Sequence, residues 1–136
     1  MSITYKKTVG KRGEELAAQY LESQGFAVTA RNFRVAHDEI DIIAQNEKYI
    51  IFAEVKTRAQ TKSNLKFGRP AAAVDYSKKQ KLLRSALEYI RREKPQKQPR
   101  IDVIEVYFPP IHEGTPCDIE KLLPLEIKHI TNAVHK

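Results

Sequence analysis

The run Phe52-Ala53-Glu54-Val55-Lys56-Thr57-Arg58 sets an acid and a base two residues apart in a stretch that is otherwise apolar from Tyr49 to Val55. Residues i and i+2 of a β-strand project to the same face, so Glu54 and Lys56 stand side by side. Burying either charge is unfavourable unless something polar lies against it. A second acidic segment, Asp38-Glu39-Ile40-Asp41, lies just upstream. Read as a strand, it puts Glu39 and Asp41 on the face of Ile43, and Asp38, Ile40 and Ile42 on the other. A hairpin through Gln45-Asn46-Glu47 that pairs Ala44 with Tyr49 sets Glu39 opposite Glu54, with Asp41 diagonal to Glu54 and Lys56 in the same patch. The grouping depends on register, because a slip of one residue turns the charges of one strand to the other face.

Carboxylates crowded in this way repel one another unless a proton or a cation intervenes, and clusters of oxygen donors favour Mg2+ or Mn2+ over zinc. Such an ion polarises a phosphoryl oxygen and lowers the pKa of a bound water, while a neighbouring ammonium orients that water or balances charge in the transition state. This is the chemistry of phosphodiester hydrolysis. A first helix offers Glu14 or Glu15 as a further acid, although acids in a first turn are also favoured by the helix dipole alone.

These groups need elements to hold them. Leu16, Ala17, Tyr20 and Leu21 recur at helical spacing and predict a helix from Val9 to Ser23, stopped at Gly25. Three strands follow, at Phe26 to Phe33, Glu39 to Ala44 and Lys48 to Thr57. Arg58 to Pro70 reads as an exposed loop closing on Gly68-Arg69-Pro70. Asp75 to Arg92 is a second amphipathic helix, with Leu82, Leu83, Ala86, Leu87 and Ile90 as its apolar stripe and Lys and Arg residues mostly outside it. Arg100 to Phe108 alternates as a fourth strand, and the tail from Pro109 to Lys136 carries a short edge strand at Glu126 to Ile130. The order α-β-β-β-α-β, with the fourth strand beside the third across a helix, gives an α/β fold with a mixed central sheet flanked by helices.

At 136 residues the chain suits one domain, with a core over about residues 9–108 and an extension over 109–136. No apolar run approaches the roughly 20 residues needed to span a bilayer, and Met1 to Lys7 lacks the apolar stretch of a secretory leader. The single Cys117 excludes an intramolecular disulfide, in keeping with a reducing cytoplasm. His37, His112, His129 and His135 lack the paired spacing of zinc enzymes and read as structural or exposed. The net charge of +7 is unevenly placed: Lys56 to Arg100 holds 14 Lys and Arg against three acids, for +11, and the remainder carries −4. A basic loop and helix directly after the acid–base pair suit a polyanion. Arg58, Lys62, Lys66, Arg69, Lys78 and Lys79 are its candidate phosphate contacts.

The blocks "GKRGEELAAQYLESQGF", "DEIDIIA", "IIFAEVKTR" and "FGRPAAAVDYSKKQKLLRSA" resemble the successive motifs of the YraN-like bacterial proteins over about Val9 to Phe108. That group is similar to archaeal Holliday junction resolvases, within the PD-(D/E)XK nuclease superfamily and its restriction-endonuclease-like core. The resemblance implies that Asp41 and Glu54 bind Mg2+ or Mn2+ together with the backbone carbonyl of Val55. It also implies that Lys56 assists the attacking water and that Glu14 supports the metal or its water shell. Glu39 fits the "EID" pattern, and Gln80 stands where many members place a glutamine near the site. The partner so implied is DNA, branched or otherwise structured, with a homodimer suited to two-fold substrates. The residues alone leave two other readings open: a non-catalytic nucleic-acid-binding module, and a protein-interaction domain whose acids form a solvated patch.

Overall fold

The computed structural model describes residues 3–59, 76–110 and 118–133, without the side chains of residues 3–6, 59 and 76. Helix α1 runs Ile3–Ser23 and begins a turn and a half before the predicted start, because Ile3 to Thr8 contains no proline or glycine to interrupt it. It ends where Gly25 takes a φ of +91°. There the Phe26 N–H donates to Leu21 O at 3.0 Å and the Gly25 N–H to Glu22 O at 3.1 Å, a paired closure that favours glycine.

Strands β1 (Ala27–Val35), β2 (Asp38–Gln45) and β3 (Tyr49–Ala59) follow, then helix α2 (Tyr76–Glu93), β4 (Gln98–Phe108), a 3-10 turn (Ile119–Lys121) and β5 (Glu126–Ile130). The strands lie side by side in chain order, β1-β2-β3-β4-β5. β3 and β4 are parallel and the remaining pairs antiparallel, so the sheet is mixed, with the α-β-β-β-α-β order that the periodicity predicts. β5 is the expected edge strand. Among the described residues no helix is long and apolar enough to cross a membrane.

The alternation of β3 places its residues on both faces. Ile51 and Ala53 join Leu16, Ala17, Leu21, Ile42, Ala44, Ile104, Val106 and Phe108 beneath α1. Ile50 and Phe52 join Val35, Ile40, Ile43, Leu82, Ala86 and Ile101 beneath α2. A strand covered on both faces must be apolar nearly throughout, which is why the charges of Glu54 and Lys56 stand out.

Two local features differ from expectation. Ala44 pairs with Ile51 rather than with Tyr49, because Asn46 and Tyr49 close the turn one residue further along the chain. The Asn46 Oδ1 accepts from the N–H groups of Lys48 (2.9 Å) and Tyr49 (2.7 Å), while the Asn46 N–H donates to Tyr49 O at 2.9 Å. The shift is two residues, so every side chain keeps its face. In addition, Ile40 packs with Ile43 rather than with Ile42, which breaks the strict alternation expected of β2. The break falls at Asp41, opposite Asn32 of β1, whose φ of 51° is left-handed. Asn adopts that region more readily than most residues.

Candidate active site

The β2–β3 ladder ends at Ile42 and Ala53, yet β3 continues to Ala59 paired with β4 alone. Past the end of the ladder a side chain stands in for a backbone partner: Asp41 Oδ2 accepts from the Val55 N–H at 2.8 Å. The splay between β2 and β3 thus lets Asp41 reach toward β3, where Glu54 emerges on the α2 face. Lys56 is buried and its Nζ lies 3.3 Å from Glu54 Oε1.

Burial pushes the Asp41 carboxyl up from its ordinary 3.8 to about 7, with Glu54 adding the next largest contribution. The Val55 N–H works against this rise, and the charges of Glu14 and Glu39 add to it. The Glu14 carboxyl is also raised, first by burial, with Glu39 and Glu54 contributing and Asn32 and Arg31 opposing. The four predicted acids Glu14, Glu39, Asp41 and Glu54 therefore fall within one electrostatic neighbourhood.

Two residues that sequence reasoning missed build this neighbourhood. Asn32 faces only carboxylate acceptors, so its amide nitrogen must point at them; it then donates to Glu14 Oε1 at 3.1 Å and Glu39 Oε1 at 2.8 Å. An asparagine in the middle of a β-branched and aromatic run was the available signal. Gly13 lies against Thr57 so closely that an added Cβ would collide with the Thr57 Oγ1. The bare backbone at Gly13 lets α1 come down onto β3 and carries the adjacent Glu14 to the splay.

On the α2 side, Asp38, Glu39 and Glu54 share a cleft of about 160 Å3 with Lys78, Lys81, Leu82 and Ser85. Of the predicted α2 contacts, Lys78 lines this cleft, whereas Lys79 and Gln80 do not. Arg58 is exposed near the end of β3. Lys62, Lys66 and Arg69 lie outside the described residues. Glu105, in register with Lys56 on β4, is almost wholly buried with an unpartnered Oε1, and burial raises its carboxyl. A larger cavity of about 620 Å3 between α2 and β4 is lined mainly by apolar side chains such as Phe52, Leu83 and Ile90, and lies away from the carboxylates.

The donor set has a definite preference. Among the described residues no three His, Cys, Asp or Glu side chains converge closely enough to cage an ion by themselves. The Asp41 and Glu54 carboxylates and the Val55 carbonyl are hard oxygen donors. That number suits Mg2+ or Mn2+, which are held by one or two carboxylates and keep waters or substrate oxygens for the rest; it does not suit a closed zinc site.

Residues 13–106 match the profile of uncharacterised protein family UPF0102, and the chain belongs to that family, the YraN-like group to which its sequence blocks point. It is 43% identical to a UPF0102 protein of Caldanaerobacter subterraneus subsp. tengcongensis, over 98% of this chain and 99% of the relative. A UPF0102 protein of Clostridioides difficile is 41% identical over 93% of this chain and 96% of its own length. One from Nocardia farcinica is 41% identical over 79% and 82%.

Proposed function

We propose that this UPF0102 chain is a divalent-metal-dependent nuclease that hydrolyses phosphodiester bonds in DNA, with branched or otherwise structured DNA as its substrate. The observation that carries the reading is the Asp41 carboxyl, held on the Val55 N–H at the splay and pushed up to about 7 by burial and by Glu54. A protein has little structural reason to gather acids where burial penalises their charge, and perturbed carboxylates in a cleft mark candidate sites. Asp41, Glu54 and the Val55 carbonyl are the groups that would hold Mg2+ or Mn2+, which supplies a Lewis acid and a water of lowered pKa.

The remaining work belongs to this chain. Lys56 carries a buried positive charge 3.3 Å from Glu54. Its ammonium is placed to orient the attacking water and to offset negative charge developing on the phosphoryl oxygens. Glu14, steadied by Asn32, would accept a hydrogen bond from that water. The basic face of α2 attracts the backbone of the nucleic acid.

Purified protein incubated with Mg2+ or Mn2+ and duplex, single-stranded and four-way DNA should cleave at least one of them, and Asp41→Asn or Glu54→Gln should abolish cleavage. Cleavage that survives both substitutions would sink the assigned site. A second reading, a nucleic-acid-binding module without catalysis, is supported by the exposed Lys78, Lys81 and Arg84. It requires salt-sensitive DNA binding that survives Asp41→Asn and is indifferent to divalent ions.

A further inference from the structure

The opening turns of α1 carry cations that the fold itself does not use. The first thirteen residues hold Lys6, Lys7, Lys11 and Arg12 and no Asp or Glu, a local +4 hidden within the −4 of the chain outside residues 56–100. Lys7 and Lys11 are exposed and form no ion pair among the described residues. Of the two acids within a turn of Lys11, Glu15 is taken by Arg12 at 3.0 Å and Glu14 accepts from Asn32. The first turn holds no acid to answer the helix dipole, and the two lysines, four residues apart, repel each other.

Their direction follows from the row they begin. Lys7, Lys11, Glu14, Ala18 and Leu21 recur at i, i+4, i+7, i+11 and i+14, along one flank of α1. At its far end Ala18 and Leu21 are buried; Glu14 is half-buried where Asn32 joins it to Glu39; the two lysines stand in solvent. Gly13 rests on Thr57 near the end of β3, whereas Leu21 closes on Phe26, in line with the start of β3 through the pairs Ala27–Gln45 and Gln45–Ile50. The turns before Gly13 therefore run out past the end of β3. Arg31 of β1 belongs to the same flank, exposed and close enough for its charge to act on Glu14 against the effect of burial.

An exposed cationic row that starts beside the acids and leads away from them fits an extended polyanion, whereas a compact anion needs cations that converge on one point. We infer that α1 and β1 carry a phosphate track on the sheet face away from α2: the nucleic-acid strand whose phosphate lies at the carboxylates runs on past Arg31, Lys11 and Lys7, each against its backbone. The inference rests on the proposed hydrolytic reading and deepens it, by naming contacts outside the basic loop and α2. Lys7 lies about 10 Å along the helix axis from Glu14, and one strand of B-DNA carries a phosphate about every 3.4 Å of rise, so the row spans about three phosphates. Contacts of this kind set the position of the strand and read no base.

The test is fluorescence anisotropy of a labelled duplex DNA titrated with the whole chain in EDTA, which prevents metal-dependent cleavage, at salt concentrations from about 50 to 200 mM. Lys7→Ala combined with Lys11→Ala should reduce the slope of log affinity against log salt by about 2, and Arg31→Ala by about 1. Lys48→Ala, which removes the same charge from an exposed position at the opposite end of β3, should leave the slope unchanged. The melting temperature of the double variant should hold or rise as the repulsion between the lysines is relieved, whereas a row that served only the fold would lower it. An unchanged slope in the double variant, an equal reduction in Lys48→Ala, or no binding of DNA by the parent would overturn the track. A loss confined to binding of phosphatidylserine vesicles would overturn it too, by assigning the row to a lipid surface. A double variant that keeps the parent's slope and still cleaves DNA with Mg2+ sinks the track and leaves the hydrolytic reading standing. A slope reduced by about 2 in a protein that cleaves nothing upholds the track and sinks that reading.

Discussion

Two aspartates on neighbouring parts of the same sheet, one buried and one half-buried, are treated in opposite ways. Asp102, on the α1 face of β4, is fully buried and fully partnered. The Arg100 guanidinium grips both its oxygens at 2.9 Å, the Asn132 N–H donates to Oδ1 at 3.0 Å, and His129 Nε2 lies 2.7 Å from Oδ2. Tyr20 closes the chain on His129 Nδ1 at 3.0 Å, tying α1 to β5. Burial works to raise the Asp102 carboxyl, but His129, Arg100 and Asn132 together outweigh it and hold it below its ordinary value. Asp41 has one backbone donor and several acids for neighbours, and it is raised. A buried carboxylate with every oxygen answered stabilises a fold, whereas one set among other acids with a single backbone donor has its charged form penalised.

The sharpest way to break this contrast is to remove each carboxylate in turn. Asp41→Asn or Glu54→Gln should lower cleavage by about a thousandfold or more, measured as single-turnover rates with saturating Mg2+, while Asp102→Asn should leave the rate of the folded fraction within about tenfold. Stability should respond in the reverse order. Asp102→Ala strands Arg100 and should cost about 3–5 kcal/mol in urea unfolding.

The pH dependence separates the two as well. The raised folded pKa of Asp41 means that the unfolded chain releases its proton first, so stability falls as pH rises from about 3.8 to about 7 and is level above that. Asp41→Asn, which keeps an acceptor for the Val55 N–H, should therefore stabilise the free protein by roughly 2–4 kcal/mol at pH 8 and by little at pH 4. Mg2+ should raise the melting temperature of the parent at pH 8 and leave that of Asp41→Asn unmoved. Asp102, with its folded pKa depressed, contributes stability above its ordinary 3.8 that disappears as pH falls through the folded value. A smaller effect is expected from Gly13→Ala, whose Cβ must push Thr57 aside: about 1–3 kcal/mol of stability, with a loss of cleavage as Glu14 is lifted away.

The elements were legible from content and period: a nearly unbroken apolar run for β3, an alternation for β4, and the 3.6-residue stripe of α2. The acids were legible for the same reason, since Glu54 and Lys56 interrupt an apolar strand. Register was misjudged by two residues because the Asn46 side chain closes the turn, and a side-chain hydrogen bond leaves no periodic trace. Asn32 and Gly13 escaped notice because their contribution is a backbone angle and a distance of approach, neither of which alters hydrophobic pattern. Apart from Arg100, the partners of Asp102 lie 27 and 30 residues away in sequence, and on an alternating strand Asp102 passes for an ordinary polar position.

The bond from the Arg12 guanidinium to Leu122 O spans 110 residues, and the contact of Tyr20 with His129 spans 109. The first fastens α1 to the end of the 3-10 turn and the second fastens it to β5, and Glu14 rides between the two anchor points. While the chain is being made, the helix that carries Glu14 therefore has to wait for residues 119–130 before either of these two bonds can form.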